Sequence, residues 1–139
     1  MMIISLSMAE KIIEECIVMA KKINIPMVIA VIGFDGQLIC LKKMDEALPI
    51  SIELAPKKAY TAYALKMSTA KLANLAGPEG ELYGLENSCS NIVIFGGGIP
   101  LISQGKMIGA VGVSGGNVEQ DIQVAEAGVK YFNNRFTTT

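Results

Sequence analysis

FGGGIPLISQGKMIGAVGVSGG, Phe95 to Gly116, holds eight of the chain's fourteen glycines between apolar runs. Either it cradles a phosphate or its glycines serve backbone geometry, and the fold follows from which. A Walker A loop requires G-x-x-x-x-G-K-[ST], but Gly105-Lys106 is followed by Met107 and preceded by the apolar run 99–103. Gly109, Gly112 and Gly115 give G-x-x-G-x-x-G, which is not the dinucleotide fingerprint G-x-G-x-x-G, and no strand–helix–strand unit follows. The stretch therefore reads as strands joined by tight turns. NIVIF (91–95), IPLIS (99–103) and KMIGAVGVS (106–114) are three strands, linked by Gly96-Gly97-Gly98 and by Gln104-Gly105. Connections this short require antiparallel neighbours.

Working outward, MVIAVIG (27–33) and QLICLKK (37–43) flank Phe34-Asp35-Gly36, and Asp-Gly between such runs is a strong hairpin signal. Ser7 and Glu10 have the spacing of a capping box, and Ala9, Ile13, Cys16, Ala20 and Ile23 recur at helical spacing, predicting a helix over 8–23. Residues 51–76 form a long helical segment. Proline is tolerated in a first turn but breaks an interior. Pro56 therefore predicts either a separate turn over 51–55 or a kink, and Ser68 can restart a second helix. Residues 77–90 are rich in turn formers and read as a surface connection. Asn117 and Gln120 again resemble a capping box, opening a last helix to about Asn134, with a loose tail over 135–139. The order α-β-β-α(α)-β-β-β-α, without repeat or linker, predicts one α+β domain over 1–139: a five-stranded antiparallel sheet covered by helices.

Composition narrows the function classes. Twelve basic and thirteen acidic residues, with no basic block, argue against nucleic acid as partner. The hydrophobic fraction is 51%, yet no run approaches a membrane span, so the excess belongs to a subunit interface or a ligand pocket, and a homo-oligomer is expected. The opening MMIISLSMAEK lacks the basic start of a signal peptide. Three widely spaced cysteines give neither a disulfide framework nor a zinc site, which fits a reducing, cytoplasmic setting. There is no histidine, which removes the usual general base at neutral pH and the commonest metal ligand.

The candidate residues each carry two readings. Lys58 and Thr61 share a helix face and together suit a carboxylate. A desolvated lysine also forms Schiff bases, while the plain alternative is a lysine snorkelling to solvent. Ser114-Gly115-Gly116-Asn117 leads from a strand into a helix start that attracts anions, although Glu119 and Asp121 already bring negative charge there. Gly109 and Gly112, inside a strand, admit either a closely packed helix or a flat ligand. Cys16 lies on an apolar stripe and reads as a small hydrophobe. Cys89, between two serines before a strand, is the cysteine open to reactivity. Asp45 and Glu46 are adjacent and read as a solvated loop. No set of residues with metal-ligand spacing is present, and the eight methionines read mostly as core, though methionine can ligate haem iron.

Several motifs in combination resemble one family. PKKAYTAYALKMS, IVIFGGGIPLISQGKMIGAVGVSGGNVEQD and VAEAG are similar to the GlcG/HbpS-like domains, a group that includes the haem-degrading-domain proteins and the C-terminal domain of PduO-type cobalamin adenosyltransferases. The resemblance runs from about Ser7 to Phe132. Its most specific parts are Lys58-Ala59-x-Thr61-Ala62, Gly97-Gly98-x-Pro100, Gly109-Ala110-Val111-Gly112-Val113-Ser114-Gly115, and Gln120-Asp121 with Ala125. KKMDEA resembles the family's Arg-Met-Asp-Gly-Ala loop, with Lys43 in place of the arginine and Glu46 in place of the glycine.

The resemblance implies a profilin-like α/β/α domain that assembles into dimers or larger oligomers. It also implies binding of haem, a corrinoid or a related small molecule, in glycolate, glycerol or propanediol-type metabolism. It places the ligand near Lys58, Thr61, Gly97, Gly98, Pro100, Ser114, Gly115 and Asp121. A histidine-ligated haem is excluded by composition; Met, Tyr, Cys or the Thr61 hydroxyl are the remaining iron donors. Two further function classes stand beside ligand binding. One is an enzyme acting on a small carbonyl compound through Lys58 or Cys89. The other is an accessory assembly subunit of a metabolic complex.

Overall fold

The fold is described from a computed structural model covering residues 2–136. Its elements are α1 (Leu6–Lys22), β1 (Val28–Gly33), β2 (Leu38–Lys43), α2 (Ser51–Leu65), α3 (Thr69–Ala76), a short 3-10 turn (Leu85–Asn87), β3 (Gly98–Ser103), β4 (Lys106–Ser114) and α4 (Val118–Phe136). The four strands form one antiparallel sheet in the order β2-β1-β4-β3.

Local chemistry explains most boundaries. Gly36 takes φ 77° in the β1–β2 turn, where the Asp35 carboxylate accepts the Gln37 amide at 3.0 Å. Gln104 and Gly105, at φ 52° and 77°, make the β3–β4 turn, the two positive-φ centres that match strand twist. Asn117 and Gln120 cap α4 reciprocally: the Gln120 amide donates to Asn117 Oδ1 and the Asn117 amide to Gln120 Oε1, both at 2.9 Å. Ser68 starts α3 by accepting the Lys71 amide.

Three expectations need correction. The sheet has four strands, because the apolar run 91–95 is not one of them. Thr61 Oγ1 takes the Val93 amide at 3.0 Å, so this segment is tied to α2 and does not extend β3. Consequently Gly96 and Gly97 belong to the loop that precedes β3, and Gly98 begins the strand. The cap of α1 is Ser5, whose hydroxyl accepts the Met8 amide at 3.1 Å, rather than Ser7 with Glu10. Helix α4 runs through Arg135 to Phe136, expected in the tail, because Phe136 packs 5.7 Å from Phe132 and 6.0 Å from Tyr131 between ring centroids; residues 137–139 lie outside the described residues. Pro56 sits within α2, which is helical from Ser51 without a separate first turn.

The pleat divides the sheet into unlike faces. Ile29, Val31, Val111, Val113 and Leu101 meet α1 and α4 in the larger core, with Ile12, Ile13, Val124 and Phe132. Val28, Ala30, Ile32 and Ala110 meet α2, which offers Ala55, Ala59 and Ala62. That second interface is thin. At Gly112 a Cβ would overlap the Ala55 carbonyl oxygen and approach the Ala59 nitrogen at 2.6 Å, so the helix backbone rests on the strand. Gly112 therefore serves helix packing, not a flat ligand. A Cβ at Gly109 would strike the Ile32 carbonyl of the neighbouring strand.

Candidate functional site

Because α2 lies so close to β4, Lys58 cannot reach water. It is 1% exposed, and its ammonium donates to the Val113 carbonyl at 2.9 Å and to Asp121 Oδ2 at 2.8 Å. The other Asp121 oxygen accepts the Gly116 amide at 2.8 Å, and the Lys58 ammonium stands 5.1 Å above the Phe95 ring. Gly97, at φ 130°, leaves room for this amine: a Cβ there would lie 2.8 Å from it. One buried ion pair thus joins α2, the end of β4, the start of α4 and the loop before β3. Burial lowers the Lys58 pKa and raises that of Asp121, each only partly offset by the other's charge.

Thr61 does not converge with Lys58 on a common ligand position. Its hydroxyl donates to the Lys57 carbonyl at 2.7 Å, lies 3.2 Å from the Asn91 carbonyl, and accepts the Val93 amide. Gly98 is held by Thr69, whose hydroxyl accepts its amide at 2.9 Å. Ser114 donates to the buried Ser51 hydroxyl at 3.0 Å. Pro100 is half-buried in β3, on the sheet edge. Gly115, at φ 155°, packs against Pro26 and Met27. At the start of α4 the amides of Gly116, Asn117 and Gln120 are all taken by side-chain oxygens of the protein. Among the described residues no buried side-chain nitrogen or oxygen lacks a hydrogen-bond partner. The anticipated polar set is therefore a closed network, in which the Lys58–Asp121 pairing, together with Ser51, Thr69 and Phe95, was not apparent from sequence.

The open spaces lie elsewhere. A groove of about 460 Å³ runs beside α2, lined by Tyr60, Leu65, Leu85, Ile92 and the exposed Cys89. Cys16 is buried, its thiol pushed up to about 12 by desolvation, and behaves as the small hydrophobe its stripe predicts. The larger cleft, about 500 Å³, lies between α1 and α4. Val18, Met19, Ala127 and Tyr131 form its apolar lining, and Lys22, Lys130 and Arg135 stand at its edge with Glu15 and Asn134. None of the three cations is ion-paired among the described residues. The sequence held a signal for this cleft. Residues 15, 18, 19 and 22, and residues 127, 130, 131 and 134, each follow the i, i+3, i+4, i+7 pattern of a single helix face. Among the described residues there is no cluster of three or more His, Cys, Asp or Glu side chains placed to hold a metal ion, and no helix long and apolar enough to cross a membrane.

Comparison with known proteins agrees with the fold. Residues 4–130 match the family described as haem degrading protein HbpS-like. The chain is 41% identical over 131 residues to a 15.0 kDa protein from the dhaT-dhaS intergenic region of Citrobacter freundii, covering 94% of this chain and 92% of that one. It is also 41% identical over 117 residues to the corrinoid adenosyltransferase PduO of the same organism, covering 84% of this chain but only 35% of that protein. Among solved structures, a PduOC–haem complex superposes with a TM-score of 0.86 at 37% identity, covering 89% of this chain and 91% of that one.

Proposed function

From the premise that this chain belongs to the HbpS-like family, we propose that it binds a carboxylate-bearing tetrapyrrole in the cleft between α1 and α4. The observation that carries the reading is the arrangement of three cations without ion-pair partners among the described residues around an apolar lining. Val18 is 48% exposed there, a cost in water that a flat apolar ligand would relieve. The volume, about 500 Å³, falls in the range of small-molecule sites. The donor set fits an iron porphyrin even without histidine, because Met19 and Tyr131 line opposite walls and both side-chain types ligate haem iron. Lys22, Lys130 and Arg135 match the propionates of a haem better than the neutral amides that surround a corrinoid. The groove beside Cys89 lacks such cations on its walls.

In this reading the Lys58–Asp121 network frames the fold beneath the ligand face and does not touch the ligand. A carbonyl compound would have to open that network to reach the Lys58 amine, so Schiff-base chemistry is disfavoured. When bound, the tetrapyrrole would supply iron-centred ligand exchange and redox chemistry; this chain's part is to receive the ring, pair its carboxylates and exclude water from one face. Self-association through exposed apolar residues such as Phe34, Leu38 and Tyr60 belongs to the same proposal and is read by mass photometry.

Titration of the full chain with haemin and, separately, with cobalamin, followed by absorbance and calorimetry, tests the ligand class. Haemin uptake is expected, weakened about tenfold, about 1.4 kcal/mol, by Lys22→Glu with Lys130→Glu. No uptake of either compound, or uptake indifferent to the charge reversal, would sink the reading.

A further inference from the structure

We infer that Tyr131 is the iron ligand of a ferric porphyrin seated between α1 and α4. The assignment rests on the tetrapyrrole reading of this cleft and adds which side chain holds the metal. Imidazole is absent from the chain, so the cleft walls offer three groups with lone pairs suited to iron: the Met19 thioether, the Tyr131 phenol and the Glu15 carboxylate. Ferric iron is a hard acid and prefers anionic oxygen to a thioether. The Met19 sulfur is also partly engaged, accepting a hydrogen bond from Gln123 Nε2 at 3.6 Å. Glu15 is exposed and hydrated, and pulling it onto the metal forfeits that solvation.

Tyr131 has the better setting. It is half-buried, and its ring is braced edge-on by Phe136 at 6.0 Å and 77°. Arg135 follows it by four residues, on the same helix face, and Lys130 precedes it; both line the cleft. The step is a ligand exchange: the phenol releases its proton to solvent, its oxygen replaces a water on Fe(III), and no electron moves.

The test compares haemin complexes of the full wild-type chain, Tyr131→Phe and Met19→Leu by absorbance, electron paramagnetic resonance and resonance Raman spectroscopy. Metal-free protoporphyrin IX serves as the control for packing. The expected result is a phenolate–iron charge-transfer band with phenolate Raman modes in wild type and Met19→Leu, both lost in Tyr131→Phe. Haemin should bind Tyr131→Phe about tenfold more weakly (about 1.4 kcal/mol), while metal-free porphyrin binds all three alike. Bound haemin without phenolate modes in wild type, or modes that persist in Tyr131→Phe, would overturn the assignment while leaving the cleft intact as the site. Equal weakening of metal-free porphyrin in Tyr131→Phe would make the residue a packing contact and overturn it too. Absence of haemin uptake by wild type would overturn both the assignment and the reading beneath it.

Discussion

Replacing Asp121 by Asn keeps an oxygen for the Gly116 amide but removes the charge that faces the Lys58 ammonium, 2.8 Å away. Lys58 then has two courses. It can stay charged in a site where it is 1% exposed, or give up its proton. The second course caps the loss. At about 1.4 kcal/mol for each pH unit between neutrality and the lysine's ordinary 10.5, carrying Lys58 uncharged at pH 7 costs about 5 kcal/mol. Breaking one side of a buried pair usually costs about 3–5 kcal/mol, so the expected destabilisation lies at that level. Lys58→Met strands the carboxylate instead, and protonating it from an ordinary 3.8 at pH 7 caps the cost at about 4 kcal/mol. The double variant strands neither charge. Its main loss is the hydrogen bond to the Val113 carbonyl, about 1–3 kcal/mol. The double variant should therefore be no worse than either single one, with a coupling energy of at least about 2 kcal/mol. Urea unfolding followed by far-UV circular dichroism suits a chain without tryptophan. Single-variant losses that simply add would refute the claim that the two residues act as one buried unit.

The same pair predicts a pH profile. Asp121, raised from 3.8 by burial, adds stability below 3.8 that is lost as pH rises through its folded value. Lys58, lowered from 10.5 by burial, adds stability above 10.5 that is lost as pH falls through its folded value. Urea midpoints of wild type relative to Lys58→Met/Asp121→Asn should thus fall as pH rises from 3.8 and recover toward 10.5; a flat difference would count against desolvation as the dominant cause. Gly112→Ala should destabilise by about 2–3 kcal/mol or more, because the added methyl meets α2 backbone that can yield only by moving the helix; unchanged thermal stability would show that the contact is looser than described. Glu46 holds φ 66°, so Glu46→Gly should raise stability by up to about 1 kcal/mol in urea titrations, while a loss would mean that its side chain contributes more than its backbone costs.

What was legible in the sequence was local. The Asp35-Gly36 turn, the Asn117/Gln120 cap and the Ser68 restart are each decided within a few residues, and all three occur as the spacing predicts. The run 91–95 has the composition of a strand, but composition does not say where backbone amides go, and here the Val93 amide goes to a hydroxyl 32 residues away. The Lys58 partner lies 63 residues away, so no local pattern could name it. The family motifs did mark Lys58, Thr61, Gly97 and Asp121, but the structure shows them spending their polar groups on one another and on the backbone. The α1–α4 cleft is hidden in the sequence for a different reason. Its residues form a second stripe beside the buried one, and such a stripe looks like ordinary solvated surface until a second helix is laid beside it.

The two faces of the sheet are built differently. On the α2 face, alanine and Gly112 bring helix backbone against strand backbone, and the one large polar side chain, Lys58, is neutralised in place. Inserting a ligand between α2 and the sheet there would separate a buried ion pair and leave both charges without a partner. On the other face, α1 and α4 fill the core with large residues yet leave a cleft edged by cations without salt-bridge partners among the described residues. The two faces are joined, since the Lys58–Asp121 pair fixes the start of the same α4 that carries Tyr131 and Arg135. If haemin binds here without any histidine, recognition in this fold resides in the cleft's shape and charge, and the metal ligand is a replaceable part of it.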